Sequence, residues 1–129
     1  MTNQNNRPTS PHLQVYRLPM TALISITHRA TGAALSLGAV LLVWVLSSVA
    51  VGGDYYATMH SHLSAWYGQI VLFGFTFALF FHFCHGIRHL LWDTGWGLEI
   101  EAVAKSDLVV LGGAVVLTLA TWLVALTAG

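Results

Sequence analysis

Three long apolar runs decide what this 129-residue chain can become. The first runs from about 21 to 51, with a clean apolar part from Ala30 to Val51. The second runs from about 63 to 91 and the third from about 108 to 128. The uninterrupted parts of the first and third are 22 and 21 residues long, against the ~20 that an α-helix needs to cross ~30 Å of hydrocarbon. Only 8% of the residues are charged and 56% are hydrophobic, whereas a soluble domain carries about 25% charged residues. A chain this short has too little interior to hide that apolar surface from water. The sequence therefore predicts an all-α membrane protein with three transmembrane helices. They form a single membrane domain over 21–129, preceded over 1–20 by a polar N-terminal tail and an interfacial segment.

The tail (Asn3, Gln4, Asn5, Asn6) has no apolar core of the kind a secretory signal needs. Pro11 and Pro19 punctuate the short segment between the tail and the first span. Gly52-Gly53-Asp54 is expected to break the first helix and Thr94-Gly95-Trp96-Gly97 to end the second. Net charge is zero and no basic run exists, so nucleic acid has no electrostatic footprint to bind. The single cysteine, Cys84, excludes an internal disulfide framework and reads as a small apolar filler. The five basic residues are Arg7, Arg17, Arg29, Arg88 and Lys105, and the first loop, Gly52 to His62, holds none of them. That segregation places the N terminus inside and the C terminus outside. With no internal repeat, three helices make a poor closed bundle around a polar site, so a second membrane anchor subunit is expected beside this one.

The chemistry concentrates in Phe80-Phe81-His82-Phe83-Cys84-His85-Gly86-Ile87-Arg88-His89, continuing into Leu90-Leu91-Trp92-Asp93. Ionisable side chains at membrane depth are costly and point to function. At helical spacing His89 and Asp93 fall within about 20° of His82 and Gly86 about 40° away. His85 is about 60° off that direction and Arg88 about 120°. His82 lies roughly 10 Å deeper than His89. A deep histidine, a glycine gap and a shallower basic rim suit a flat, iron-bearing macrocycle with anionic propionates, since neutral imidazole ligates haem iron and cations pair with carboxylates. In the first helix Ser25, Arg29, Gly32 and Ser36 form one stripe near the inner end. The Ser25 hydroxyl and Arg29 guanidinium there are suited to donate to a quinone carbonyl. Plainer readings stand beside these. Any of the histidines is also readable as a packing residue, Arg29 and Arg88 as inner anchors that snorkel to headgroups, and Asp93 as a water-facing helix end. His60 and His62 read as solvated in the outer loop, and Glu99, Glu101 and Asp107 as an inner loop face. A haem-free anchor or assembly protein, and a small proton or metal transporter subunit, are the alternative functions.

Two stretches resemble a known family. Arg7-Pro8-Thr9-Ser10-Pro11-His12-Leu13-Gln14-Val15-Tyr16-Arg17 and Ser25-Ile26-Thr27-His28-Arg29-Ala30-Thr31-Gly32 are similar to the start of the cytochrome b556 membrane anchors of succinate dehydrogenase. His82-x-x-x-Gly86-Ile87-Arg88-His89-x-x-x-Asp93 resembles that family's second-helix motif. The resemblance covers the whole chain. It implies a subunit of respiratory complex II, with a flavoprotein, an iron–sulfur subunit and a second small anchor as partners. It also implies a haem b shared between the anchors, ubiquinone as substrate, and no independent catalysis by this subunit. His82 then corresponds to the axial haem ligand, Ser25 and Arg29 to the quinone site, and His28, Arg29 and His89 to the haem-propionate edge. Asp93 becomes a candidate proton route. His85 departs from the motif and stands as an alternative axial ligand. The implied location is a bacterial inner membrane, or failing that the mitochondrial one.

Overall fold

The structure, a computed structural model, describes residues 16–128. The polar tail and most of the Arg7–Arg17 stretch lie outside the described residues. The described residues form four helices in the order α1 (Met20–Val51), α2 (Gly53–Ser64), α3 (Trp66–Asp93) and α4 (Ile100–Ala128). Among the described residues three of them, α1, α3 and α4, are long and apolar enough to cross a membrane.

Helix α1 begins where Pro19 holds the backbone extended, and the Pro19 carbonyl accepts from the N–H groups of Ala22 (3.0 Å) and Leu23 (3.2 Å). Proline suits this boundary because it has no N–H to leave unpaired. The helix ends because Gly52 turns to φ 71°, from where its N–H donates to the Ser48 carbonyl at 2.9 Å. Gly53 adds a second positive φ of 58°. Side chains with a Cβ are strained in this region, so two successive glycines allow an abrupt change of direction. They lead directly into α2.

That helix replaces the expected outer loop. Its 12 residues are far less apolar than those of the other three helices, which is why a search for runs able to cross a membrane does not reveal it. His60 and His62 are exposed on it, and His62 Nδ1 lies 2.8 Å from the Tyr67 hydroxyl. The α2–α3 corner is tight. Gln69 donates from Nε2 to the Leu63 carbonyl at 2.9 Å, and a Cβ on Gly68 would run into the backbone of His62 and Leu63.

Helix α4 starts at Ile100, not near 108. The segment read as an inner loop face is therefore largely its first two turns, and Asp107 lies within the helix. The contact between α3 and α4 is built on Phe81, Val110 and Ala114, joined by Ile24 of α1, with Phe77, Phe80 and Cys84 packed against them. A Cβ on Gly113 would lie 3.4 Å from Cys84 Sγ, so the thiol fills a space that a small residue leaves open. Elsewhere the helices present apolar side chains outward: Leu37, Val51 and Leu126 are each more than 70% exposed. Lipid satisfies such surfaces as well as another helix would. What fixes the helices to one another is therefore close packing at small residues and polar contacts between them.

Candidate functional site

The half of the bundle that contains the start of α1 and the end of α3 holds a stack of imidazoles. The His28 ring of α1 enters between two rings of α3, with centroids 4.1 Å from His82 at an interplanar angle of 14° and 4.2 Å from His85 at 22°. His85 and His89 are 4.8 Å apart and tilted. Gly32 makes this closeness possible. A Cβ there would lie 3.1 Å from His82 Cε1, tighter than most real contacts.

His82 is oriented by α1. Its Nδ1 lies 3.2 Å from the His28 carbonyl and 3.3 Å from the Thr31 hydroxyl, which itself donates to the same carbonyl at 2.8 Å. A carbonyl oxygen only accepts, so Nδ1 carries the proton and Nε2 keeps its lone pair. A bond of this kind, from the nitrogen that does not ligate, holds a metal-binding histidine in one tautomer.

His85 is 1% exposed, and neither of its ring nitrogens has a hydrogen-bond partner among the described residues; His28 Nε2 is likewise buried and unpartnered. Unsatisfied buried groups cost on the order of 1–3 kcal/mol each. One ligand atom each from His28, His85 and His89 lies within 4.8 Å of the others, a donor set suited to a metal ion or an anion. The angular reading of α3 alone sets His85 apart from His82 and His89. The fold joins all three through His28, which comes from another helix.

Ser25 is half-buried and Arg29 exposed, on the same stripe of α1 as Gly32. Asp93 is exposed at the last position of α3. Arg88, read from sequence as part of a shallow rim or a snorkelling anchor, is instead 5% exposed and forms an ion pair with Asp107, which is 1% exposed. Thr21 of α1 donates to the other carboxylate oxygen of Asp107 at 2.6 Å. Arg88 also donates to the Ser106 hydroxyl at 3.3 Å and lies 4.6 Å from the Trp92 ring centroid. Asp107, taken as part of an inner loop face, is thus the node at which three helices meet. A signal for it exists in the sequence. Two antiparallel spans joined by the short 94–99 connection bring the end of one level with the start of the next, where Arg88 and Asp107 lie.

The class of protein so defined is a small membrane subunit of three spanning helices, with a histidine cluster and a buried ion pair near one end. The family model for the succinate dehydrogenase/fumarate reductase transmembrane subunit matches residues 3–121, and the chain belongs to that family. It is 45% identical over 122 residues to the succinate dehydrogenase cytochrome b556 subunit of Paracoccus denitrificans, covering 95% of this chain and 94% of that one. It is 37% identical to the cytochrome b556 subunit of Rickettsia felis, over 92% of both chains. To the mitochondrial cytochrome b560 subunit of Sus scrofa it is 40% identical, over 83% of this chain and 64% of that one. Family and helices together make this an integral membrane anchor of the succinate dehydrogenase cytochrome b type.

Proposed function

We propose that the chain binds haem b and ubiquinone in the membrane part of succinate:ubiquinone oxidoreductase, with its N terminus inside and its C terminus outside. Beside it stand a second anchor, an iron–sulfur subunit and a flavoprotein subunit. The observation that carries the haem reading is the orientation of His82, whose Nδ1 is engaged by the His28 carbonyl while Nε2 is left as a ligand. The surroundings fit a macrocycle. A Cβ on Gly86, one turn along α3 from His82, would meet no atom within 4 Å, and His28 and His89 supply donors for an anionic edge. Bound haem supplies one-electron storage at a potential that its protein surroundings set.

The roles of the remaining residues rest on chemistry and position. Ser25 and Arg29 hold a quinone carbonyl from the inner end of α1 and stabilise the negative charge that develops on its oxygen, as positioned donors do. Asp93, exposed at the end of α3, is placed to exchange protons with water. The membrane of a bacterial cell is the proposed location, since the curated relatives at 45% and 37% identity are bacterial.

The test is co-purification of the complex in mild detergent, then a reduced-minus-oxidised spectrum. A b-type spectrum is expected from the native complex, and its loss from an assembled His82→Ala complex. Retention of the spectrum in that variant removes His82 as the ligand. In the same preparations Arg29→Ala is expected to lower quinone reduction at least tenfold while succinate oxidation by an artificial dye persists. Equal loss of both would make Arg29 an assembly residue.

A further inference from the structure

We infer that Asp107 is a positioning residue of the quinone site: by accepting from Thr21 it holds the start of α1, and with it Ser25 and Arg29, at a fixed place against α3 and α4. The inference rests on the quinone reading above. The start of α1 lacks the usual local closures. Its N-cap, Pro19, makes no side-chain bond to the first turn, and that turn carries no acidic residue. The first turn of a helix leaves N–H groups unpaired and favours a nearby negative charge. Asp107 of α4 brings that charge from another helix, with one carboxylate oxygen 2.6 Å from the Thr21 hydroxyl.

The anchor is itself fixed. Asp107 is 1% exposed, and Nη1 of Arg88 pairs with its other oxygen. Arg88 in turn donates to the Ser106 hydroxyl and lies over the Trp92 ring. Among the described residues, side-chain hydrogen bonds tie α1 to other helices at two places. One joins Thr21 to Asp107. The other joins the His28 carbonyl and the Thr31 hydroxyl to His82. Ser25 lies between the two ties, and Arg29 lies beside the second. Residues 21, 25, 29 and 32 repeat at helical spacing, so Thr21 extends their stripe by one turn. Ile24, 4% exposed, packs into the core with Phe81, Val110 and Ala114. Residues 16–20 are all exposed, so the bond at Thr21 sets where the helix begins relative to α4. Without it the end of α1 spends part of its time away from the position in which Ser25 and Arg29 meet a quinone together. Apparent affinity then falls by the fraction of time that the site is competent. Quinone that does bind meets the same donors, so its turnover changes little.

The experiment uses the co-purified complex with Thr21→Val, which keeps the shape of the side chain but has no donor, and Thr21→Ser, which keeps the donor. Quinone reduction is measured over a range of short-chain ubiquinone concentrations. It is divided by succinate oxidation by an artificial dye, which counts assembled complexes. Thr21→Val is expected to raise the quinone KM about threefold to tenfold while kcat changes less than about twofold. Thr21→Ser should return KM to near its native value. In the Arg88→Leu/Asp107→Leu complex KM should rise to a similar extent, and adding Thr21→Val should raise it no further, because both changes remove one contact. A native KM in Thr21→Val would overturn the inference. So would an equal loss of quinone-linked and dye-linked activity, which marks a general defect of assembly. Failure of Thr21→Ser to restore KM, or a full Thr21→Val effect in the Arg88→Leu/Asp107→Leu background, would overturn it by showing that Thr21 acts through something other than Asp107. Arg29→Ala is measured beside them. Native quinone kinetics in that variant would sink the quinone reading itself, whatever the Thr21 variants do.

Discussion

On its α4 side, helix α3 buries Arg88 against Asp107, Ser106 and Trp92, and Thr21 of α1 completes the carboxylate. On its α1 side the same helix buries His85 against His28 and Phe81, with both ring nitrogens unpartnered. The two clusters lie at similar depth, since Arg88 is one turn from His85. They differ in what satisfies them. The Asp107 carboxylate finds donors from two helices of its own chain, and Nη1 of Arg88 finds it in return, while Nε and Nη2 of Arg88 are buried without a hydrogen-bond partner among the described residues. The imidazoles stack on one another but leave donors over. A polar cluster whose opposite charges are paired within the chain holds the helices together. The imidazole cluster has no such counter-charge and ties α1 to α3 by stacking instead.

Breaking the ion-paired side gives the largest expected effect. Asp107→Ala leaves the Arg88 guanidinium buried with only a hydroxyl and an indole face for company. Removing one partner of a buried pair costs about 3–5 kcal/mol, because the remaining charge has lost both water and its counter-ion. Thermal denaturation of the detergent-solubilised complex should show a clearly lowered midpoint. The double variant Arg88→Leu/Asp107→Leu should recover most of that loss, since apolar replacement of a whole buried pair is often neutral. Lys105→Ala is the control. Its partner Glu101 is 4.0 Å away with both side chains more than 75% exposed, and such pairs contribute ~0–1 kcal/mol. An Asp107→Ala complex no weaker than the Lys105→Ala one would show that the pair does not close the α3–α4 contact.

The same comparison explains what could be read from the sequence. The spans were legible because membrane thickness sets a length that apolar runs must meet, and the glycines at 52 and 53 mark the end of α1 through a conformation other residues resist. Helix α2 was not legible, because it is short and polar and its stability comes from its seat against α3 at Gly68 and Gln69. Within the site, His82 and Gly32 could be singled out from spacing along single helices. The relation of His85 to His28 could not, because it depends on how two helices face one another, and that of Arg88 to Asp107 was legible only as a shared level. Angular position on one helix says nothing of what the next helix brings to that face. The antiparallel hairpin of α3 and α4 is the one place where topology alone places two charges level.

Gly32 sharpens the imidazole side with a smaller effect. Gly32→Ala acts through two effects of opposite sign. Alanine favours a helix interior by roughly 0.8–1.0 kcal/mol relative to glycine. The new Cβ, 3.1 Å from His82 Cε1, forces the imidazole to give by a few tenths of an ångström, and crowding of this kind typically costs about 1–3 kcal/mol. The net change in stability should therefore be small, about 1 kcal/mol or less if His82 yields readily. The displacement itself does not cancel. It moves His82 Nδ1 relative to the His28 carbonyl and the Thr31 hydroxyl, which set its orientation. The expected result is a complex that denatures near the native temperature but whose b-type absorption is shifted or broadened. The Arg88–Asp107 side should be untouched, so adding Asp107→Ala should lower the denaturation midpoint by the same amount in either background, as independent sites do. A Gly32→Ala complex with a native spectrum would mean that α1 does not set the orientation of His82.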